Sequence, residues 1–342
     1  MTLENKILDK IKKDSCIYLD DFMKISLTDK NNGYYYSKKM IGQNGDFITS
    51  PEISQLYGET IALNISDYIL NKDIKKFNLI ELGPGKGTLM QDITRILSLT
   101  LKDKIKYNIH FLEINRHFIN DLKDKFKNST IHQSIETFPR GHSIILANEF
   151  FDALPVIQIH NIRKNKYETA IKLDNNKLVF CKKKIREDNV KFISYEKNND
   201  NLKIMEFSPS SNLIFENLIK YLKYNNGTFL IIDYGYNKSS NQNTIQSIKK
   251  NKKTNFLDNI GNQDLTAHVN FGEFIRLLKK FDIKNFSIDT QRDFLTKNGI
   301  NFRANQLIKK NIDYENKILN ELSRLIDIDK MGNLFKVLKF EV

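Results

Sequence analysis

Apolar residues recur every three or four positions between residues 50 and 70, and this spacing predicts a helix. Positions 53, 56, 57, 61, 65, 68 and 69 would form its buried face. Ser50 suits the N-cap, and Pro51 suits the first helical position because proline lacks the N–H group that a helix leaves unpaired there. We therefore expect a helix from Pro51 to about Leu70.

The segments that follow alternate between short apolar runs, which predict strands, and amphipathic runs, which predict helices. A strand over 76–82 leads into a helix from Gly87 to about Leu99, and a strand over 107–114 leads into a helix from Asn115. Further strands are predicted at 129–134, 142–150, 227–236, 283–289 and 333–342, with helices at about 211–224, 271–280 and 303–325 and a polar loop over 237–264. Mostly apolar strands that alternate with helices favour an α/β fold, in which a largely parallel sheet carries helices on both faces.

The alternation is interrupted after Pro155. The segments "VIQIHNI", "KYETAIKL" and "KLVFCKKK" are typical of short strands, and turn residues such as those at 174–176 separate them. We therefore interpret residues 156–205 as a β-rich insertion in the α/β fold.

The basic composition of the chain bears on its partners. Its formal net charge is +13, yet only nine of its 54 basic residues are Arg. The lysines are spread along the whole chain, which favours ordinary solvated surface charge over a nucleic-acid site. The densest cluster, Cys181 to Arg186, has no interleaved aromatic residues. An RNA-binding face is the alternative interpretation.

Neither a membrane span nor a metal site is indicated. No apolar run approaches the roughly 20 residues that cross a bilayer. The first 15 residues have mixed charge and resemble neither a signal peptide nor a transit peptide, so we expect a cytoplasmic protein. Cys16 and Cys181 lie outside any CxxC pair, and the six His show no ligand spacing, so we expect neither a disulfide framework nor a zinc site.

The segment "NLIELGPGKGTLM" carries three alternate glycines directly after a predicted strand. A P-loop would need Ser or Thr after Lys86, where Gly87 stands, and the dinucleotide fingerprint would need a third glycine at Thr88. What remains is an acid, one residue and then GxGxG, which is the first motif of the class I S-adenosyl-L-methionine (SAM) methyltransferases. Glu81 would then meet the ligand's ammonium group, and Glu113, at the end of the next strand, would meet its ribose hydroxyls.

The segment "ANEFFDALP" ends the fourth predicted strand, at the sheet edge where such folds bind their ligands. Methyltransferases that act on the amino groups of bases or glutamine often carry Asn-Pro-Pro-aromatic here, whereas this chain has Asn148 followed by Glu149 and Phe150. The carboxylates of Glu149 and Asp152 suit a cationic guanidinium, which they can bind through two parallel hydrogen bonds. A solvated acidic strand end is the alternative.

Other polar residues have both a functional and a structural interpretation. In "GDFITSPEIS", Asp46, Thr49, Ser50 and Glu52 are candidate site residues, although helix capping alone accounts for Ser50. His268 is a candidate catalytic residue or a buried structural histidine. Asp233, at the end of a strand, is a candidate substrate contact, and the tyrosines at 34–36 are candidates for a pocket wall or for the core.

Taken together, these motifs resemble the MidA family of class I SAM-dependent methyltransferases, whose members include a mitochondrial protein arginine methyltransferase that acts in complex I assembly. The resemblance covers nearly the whole chain. It rests on seven motifs in order: "GDFITSPEISQLYGE", "ELGPGKGTLM", "ANEFFDALPV", "IIDYGY", "DLTAHVNF", "TQRDFL" and "MGNLFKV".

The resemblance implies a Rossmann-like, seven-stranded sheet with helices on both faces, whose final strand lies antiparallel beside the fifth. It implies SAM as the cofactor. The cofactor-binding residues would be Glu81, Gly83, Pro84, Gly85, Gly87, Glu113, Thr49, Ser50 and Glu52, and the catalytic residues would be Asn148, Glu149, Asp152 and His268.

On this basis we divide the chain into four regions. Residues 1–75 form an N-terminal helical arm that caps the SAM pocket, 76–155 the SAM-binding half of the sheet, 156–205 the β-rich insertion, and 206–342 the second half with a helical insertion on the substrate side. The expected activity is that of a protein arginine N-methyltransferase acting on a partner protein, with a respiratory complex I subunit as first candidate. An RNA methyltransferase and a SAM-binding assembly factor without turnover are alternatives, and a homodimer is an oligomeric state to consider.

Overall fold

A computed structural model describes residues 2–37, 48–101, 105–163, 165–193, 203–238, 241 and 243–342. The first elements are α1 (Leu3–Asp14), β1 (Ile17–Tyr18), α2 (Leu19–Thr28), α3 (Tyr34–Ser37), α4 (Ser50–Ile53), α5 (Gln55–Asn71), β2 (Lys76–Leu82), α6 (Thr88–Thr100), β3 (Lys106–Leu112), α7 (Arg116–Lys125), β4 (Thr130–His132) and β5 (Ser143–Asn148). The elements that follow are β6 (Ile157–Ile162), β7 (Asn165–Asp174), β8 (Lys177–Lys184), α8 (Val190–Ile193), β9 (Ile204–Phe207), α9 (Pro209–Asn225), β10 (Gly227–Tyr236), β11 (Gln246–Lys249), β12 (Lys252–Lys253), β13 (Asp264–Thr266), β14 (Val269–Asn270), α10 (Phe271–Lys280), β15 (Phe286–Thr290), α11 (Gln291–Lys297), α12 (Ile300–Lys310), α13 (Glu315–Ile326) and β16 (Phe335–Glu341).

The central sheet has the strand order β15-β16-β10-β5-β2-β3-β4. The strands from β10 to β4 are parallel, and β16 lies antiparallel between β10 and β15. The α/β fold expected from the sequence is confirmed. The strand count differs from the expected seven, because within the described residues the two-residue β14 pairs in parallel with the end of β10.

Helices cover both faces of this sheet. Alternate residues of each strand point to opposite faces, so Leu79 belongs to one core and Ile80 to the other. The first core also takes residues from α5, α6, α11, α12 and α13, and the second takes residues from α9 and α10. Because these strands are buried on both faces, their sequences are mostly apolar runs.

The strand order reverses between β2 and β5, since β3 and β4 lie on one side of β2 while β5 and β10 lie on the other. β2 and β5 are paired in register up to Leu82 and Ala147. The residues that follow each strand therefore emerge side by side at the carboxyl edge of the sheet. In open α/β sheets a crevice at such a reversal is where ligands bind.

The segment after Pro155 forms a second sheet of the order β1-β7-β6-β9, with β8 on the other edge of β7. Its first strand comes from the N-terminal region, since Ile17 pairs with Ile171. Arg186 forms ion pairs with buried Glu168 at 2.6 Å and with Asp20 of α2 at 2.7 Å. The N-terminal helices and this sheet are therefore one packed unit.

Three predicted boundaries differ from the structure. The helix expected from Pro51 to Leu70 is broken into α4 and α5, because Ser54 is extended (φ −157°, ψ 139°) and caps the N–H of Leu56. The helix expected over 303–325 is also two helices, α12 and α13. The region expected to be loop between 237 and 264 contains β11 and β12. None of the helices in the described part of the chain is long and apolar enough to cross a membrane.

Candidate functional site

The glycine loop leaves β2 through three residues with left-handed backbone, with φ of 60° at Gly83, 53° at Gly85 and 72° at Gly87. Glycine adopts this conformation without the steric cost that other residues have. A Cβ atom on Gly83 would lie 2.9 Å from the Phe150 ring, and one on Gly87 would lie 2.8 Å from Leu122. The N–H of Gly87 donates to the carbonyl of Pro84 at 2.8 Å. The loop is therefore a tight turn that only glycine allows.

Glu81 lies one residue before the end of β2, and only 3% of its surface is exposed. Its Oε2 has no hydrogen-bond partner. Burial, with a smaller effect from nearby Glu113, raises the pKa of Glu81 to about 8. A buried carboxylate without a donor is costly in the free protein, and a cationic ligand group would relieve that cost.

Glu113 follows β3 and ties its own loop to the glycine loop. Its Oε1 accepts from the N–H groups of Ile114 and Asn115, both at 2.8 Å, and its Oε2 accepts from the N–H of Gly85 at 3.3 Å. Burial raises the pKa of Glu113, and these three donors act in the opposite direction. Glu81 and Glu113 thus lie near each other at one edge of the sheet, and their contacts with SAM stay a prediction.

Helix α4 lies over the glycine loop. Glu52 accepts a hydrogen bond from the Thr88 hydroxyl and forms an ion pair with Lys86 at 3.5 Å. Thr49 is the half-buried N-cap residue of α4, and Ser50 is buried. The fourth candidate of this segment, Asp46, lies outside the described residues.

The segment after β5 turns sharply at Glu149, whose φ of 50° is left-handed. Its Oε1 accepts from the N–H of Ser50 at 2.9 Å and from the Asn148 side chain at 3.2 Å. The carbonyl oxygen of the Asn148 side chain accepts from the Tyr57 hydroxyl. Burial raises the pKa of Glu149 to about 7, with a further contribution from Asp152. Residues from α4, α5 and the end of β5 thus share one polar cluster.

Asp152 and Asp233 are both buried, and they lie close enough to interact electrostatically. Burial raises the pKa of Asp152 to about 6, and a hydrogen bond from the Tyr234 hydroxyl lowers it in part. Burial, Asp152 and Glu149 raise the pKa of Asp233. No lysine or arginine in the described ranges forms an ion pair with Glu149, Asp152 or Asp233. Buried Asp152 and Asp233 and half-buried Glu149 lie together without an ion-paired lysine or arginine in the described residues, and this arrangement favours the binding of a cation.

Asp233 does not point into this cluster as a free substrate contact. Its Oδ2 accepts from the N–H groups of Phe151 and Asp152 at 3.0 and 3.2 Å, and its Oδ1 accepts from the N–H of Tyr234 at 2.9 Å. Its carboxylate is thus taken up by main-chain donors. The sequence interpretation of Asp233 as a substrate contact differs from this arrangement.

His268 is half-buried, and its ring makes an edge contact with Tyr234 at a centroid distance of 5.3 Å. The main-chain N–H of His268 donates to the side-chain oxygen of Thr244 at 3.0 Å. Burial lowers the pKa of His268. His268 therefore reaches the carboxylate cluster through Tyr234, the partner of Asp152. Of the three neighbouring tyrosines, Tyr34 is a fully buried core residue, and Tyr35 donates to Asp264 at 2.5 Å.

Sequence reasoning missed Tyr57, Tyr234 and Asp264. Tyr234 follows Asp233 in "IIDYGY", and Asp264 begins "DLTAHVNF", so both lay in motifs that had been recognised. Tyr57 lies in an ordinary amphipathic helix, and its contact with Asn148 joins residues 91 positions apart. The signal in the sequence would have been a hydroxyl-bearing tyrosine on the buried face of α5.

These residues fit SAM. The left-handed glycines let the main chain approach a ligand, Glu81 offers a buried carboxylate oxygen without a hydrogen-bond partner to an ammonium group, and Glu113 lies beside it. No group of three or more His, Cys, Asp or Glu able to hold a metal ion occurs in the described part of the chain.

Comparison with known proteins places this site in a family. Residues 60–286 match the family model described as S-adenosyl-L-methionine-dependent methyltransferase. Two relatives are the mitochondrial protein arginine methyltransferase NDUFAF7 of Homo sapiens, 29% identical over 96% of this chain and 81% of that protein, and its Caenorhabditis elegans homologue, 30% identical over 90% and 78%. A Burkholderia thailandensis methyl transferase solved with S-adenosyl-homocysteine has the same fold, with a TM-score of 0.84 and 19% identity over 99% of this chain and 92% of that one.

The comparisons correct one sequence expectation. The relatives are named as mitochondrial proteins, in Xenopus tropicalis as in Homo sapiens, and this contradicts the cytoplasmic location expected from the N-terminal residues. That expectation rested on the composition of a short segment, which carries little information about targeting.

Proposed function

The chain belongs to the MidA family of SAM-dependent methyltransferases, and from this premise we propose that it methylates an arginine side chain of a partner protein. The observation that carries the proposal is the pair of neighbouring carboxylates of half-buried Glu149 and buried Asp152, which form no ion pair with a lysine or arginine of the described residues. The relatives named protein arginine methyltransferase support the same substrate class.

SAM, when bound, supplies an electrophilic methyl group on a sulfonium. The chain's own residues hold the donor through Glu81, Glu113 and the main chain from Gly83 to Gly87, with Glu52 closing α4 over that loop. Thr49, Ser50 and Pro84 would line the same part of the site, beside the donor. Holding two reactants in line is a large part of the catalytic effect that such a site can have.

Glu149 and Asp152 would hold the guanidinium of the acceptor. An arginine side chain stays protonated at neutral pH and presents a planar array of N–H donors, which two carboxylates can bind from one side. The nitrogen that gains the methyl group gives up a proton, and Glu149 can accept it because its pKa of about 7 lies near physiological pH. Asn148 keeps Glu149 in place, and His268 acts through Tyr234 on Asp152.

The finer identity of the partner is part of the proposal. A subunit of respiratory complex I is the first candidate that the family resemblance suggests, and a homodimer is the first oligomeric state to test. An RNA substrate is less well supported, since the cluster next to the glycine loop is acidic and would repel phosphate.

The test is the transfer of labelled methyl groups from SAM into a lysate that lacks this protein's gene. We expect the label to be protease-sensitive and to be recovered as methylarginine after hydrolysis. Glu149→Gln should lose this transfer and keep SAM binding, whereas Glu187→Gln, an exposed carboxylate in the insertion, should keep both. Nuclease-sensitive label would overturn the proposal in favour of an RNA substrate, and bound SAM without any transfer would favour an assembly factor.

A further inference from the structure

Asp233 lies on β10 between the part that pairs with β5 and the part that pairs with β14. β5 pairs with β10 up to Asn148 and Ile232, and β14 pairs with β10 only from Gly235 onward. Among the described residues, Asp233 and Tyr234 pair with β16 but with neither β5 nor β14, so they occupy a gap between those two pairings.

The segment that leaves β5 in this gap carries the two carboxylates proposed to hold the acceptor. It keeps one sheet-like bond, from the N–H of Glu149 to the carbonyl of Ile232 at 2.9 Å. It then bends at the left-handed Glu149, a conformation that a residue with a side chain adopts only when its surroundings enforce it. Farther along, the main-chain N–H groups of Phe151 and Asp152 donate to a side chain and not to a neighbouring strand.

The Asp233 carboxylate accepts both of these donors. Oδ2 receives the N–H of Phe151 at 3.0 Å and the N–H of Asp152 at 3.2 Å, while Oδ1 receives the N–H of Tyr234 at 2.9 Å. The carboxylate is fully buried, and its position is fixed by the central strand that carries it. Hydrogen bonds between an ionised acceptor and main-chain N–H groups are stronger than neutral ones.

We infer that Asp233 is a positioning residue, which holds residues 149–152 in the bent conformation that presents Glu149 and Asp152 to the acceptor. Its side-chain hydrogen bonds go to Phe151, Asp152 and Tyr234 and not to the glycine loop, so its main effect is expected on the acceptor side. The inference rests on the proposed function, in that an acceptor must bind at this segment.

The test compares Asp233→Asn with Thr228→Val. Thr228 lies at the opposite end of the same strand, is equally buried, and donates from its side chain to the carbonyl of Phe340 at 2.9 Å. Both variants lose a buried polar interaction in β10, so a general loss of stability affects both. Only Asp233→Asn replaces one of the two carboxylate oxygens, which together accept from three main-chain N–H groups, by an NH2 donor.

Three readouts are expected to separate the variants. In Asp233→Asn, amide hydrogens of residues 149–154 should exchange at least tenfold faster, the affinity for S-adenosyl-homocysteine should stay within about twofold of wild type, and methyl transfer to the lysate protein labelled by wild type should fall at least tenfold. Thr228→Val should show none of these changes.

Unchanged exchange at 149–154, or wild-type methyl transfer by Asp233→Asn, would overturn the inference. Failure of the proposed function gives a different result, since wild type itself would then transfer no label to arginine while the exchange experiment would still report whether Asp233 holds the segment.

Discussion

The main-chain N–H of Ser50 donates to Oε1 of Glu149 at 2.9 Å, and this bond joins helix α4 to the segment after β5. On its other side α4 contacts the glycine loop through Glu52, which interacts with Lys86 and Thr88. One short helix therefore touches both the part of the site that would hold the methyl donor and the part that would hold the acceptor.

Removing the contact between α4 and the glycine loop should weaken donor binding. Glu52→Ala is expected to raise the dissociation constant for SAM by about three- to tenfold, because it removes one charged hydrogen bond and one ion pair, together worth about 1 kcal/mol. Isothermal titration calorimetry measures the change. Glu321→Ala, which removes a helical ion pair with Lys317 on α13, is the control and should leave the constant unchanged. Equal affinities in wild type and Glu52→Ala would contradict the role of α4.

A side chain on the glycine loop should abolish SAM binding in a chain that still folds. Gly85 has a φ of 53°, so Gly85→Val forces a β-branched residue into left-handed backbone at the ligand site. Gly299→Val is a matched control, because Gly299 also has positive φ (88°) and a Cβ there would meet nothing within 4 Å. We expect similar circular dichroism spectra for both variants, with SAM binding lost only in Gly85→Val. Retained affinity in folded Gly85→Val would refute the assignment of the loop.

Glu81 should make the free protein less stable as the pH rises. Its pKa lies at about 8 in the folded protein and near 4.5 in a model peptide, so the folded state binds the proton more tightly and stability is lost between these two values. Glu81→Gln should therefore be more stable than wild type above pH 8, by at least about 1 kcal/mol, and should bind SAM much more weakly. Denaturant titrations at pH 5 and 8.5 measure the difference, and a variant less stable than wild type at both pH values would contradict it.

Methyl transfer should depend on the ionisation of Glu149. The guanidinium of the acceptor needs a carboxylate, and the pKa of Glu149 is about 7, so kcat/KM should rise with pH through an acidic limb near that value. Initial rates between pH 5.5 and 9 with one labelled protein substrate test this expectation. Glu149→Gln should lose the limb together with most of the rate. A rate independent of pH between 6 and 8 would show that Glu149 is ionised throughout or is not involved.

A buried histidine pair should make the fold sensitive to acid. His110 Nδ1 lies 3.1 Å from His132 Nε2, and burial lowers the pKa of His110 to about 4. The unfolded chain takes up a proton near pH 6.5, so stability is lost as the pH falls from that value towards 4, by about 1.4 kcal/mol per pH unit for one group. His110→Phe should reduce the loss of stability between pH 7 and 5.

Thermal or denaturant unfolding at the two pH values measures that loss. His117→Phe, at an exposed position, is the control and should retain the wild-type dependence on pH. An unchanged dependence in His110→Phe would show that other groups cause the acid sensitivity.

The sequence was sufficient where the signal is local. Glu81 and Glu113 each stand at the end of a predicted strand, and the two strands are parallel neighbours in the structure, so both carboxylates lie at one edge of the sheet. The glycine spacing likewise identified the loop, since left-handed backbone at alternate positions leaves a clear mark in the sequence.

The remaining features depend on packing between distant segments. The role of Asp233 required knowledge of where β5 leaves β10 and where β14 joins it, and a two-residue strand has no periodic pattern. The apolar spacing continues through Ser54 and therefore predicts an unbroken helix. In the structure the helix is interrupted at Ser54, and α4 lies over the glycine loop. Contacts of this kind are set by tertiary structure and override local preference.

The pairing of β1 with β7 has a consequence for the order of events during synthesis. Ile17 and Tyr18 have no strand partner until Ala170 and Ile171 have been made, roughly 150 residues later. At about 5–20 residues per second the ribosome needs on the order of ten seconds or more for that interval. Until then apolar residues of α1 and α2 such as Ile7 and Phe22 lack the strand that covers them. The packing of α1 and α2 is therefore completed only once β7 of the insertion has been made.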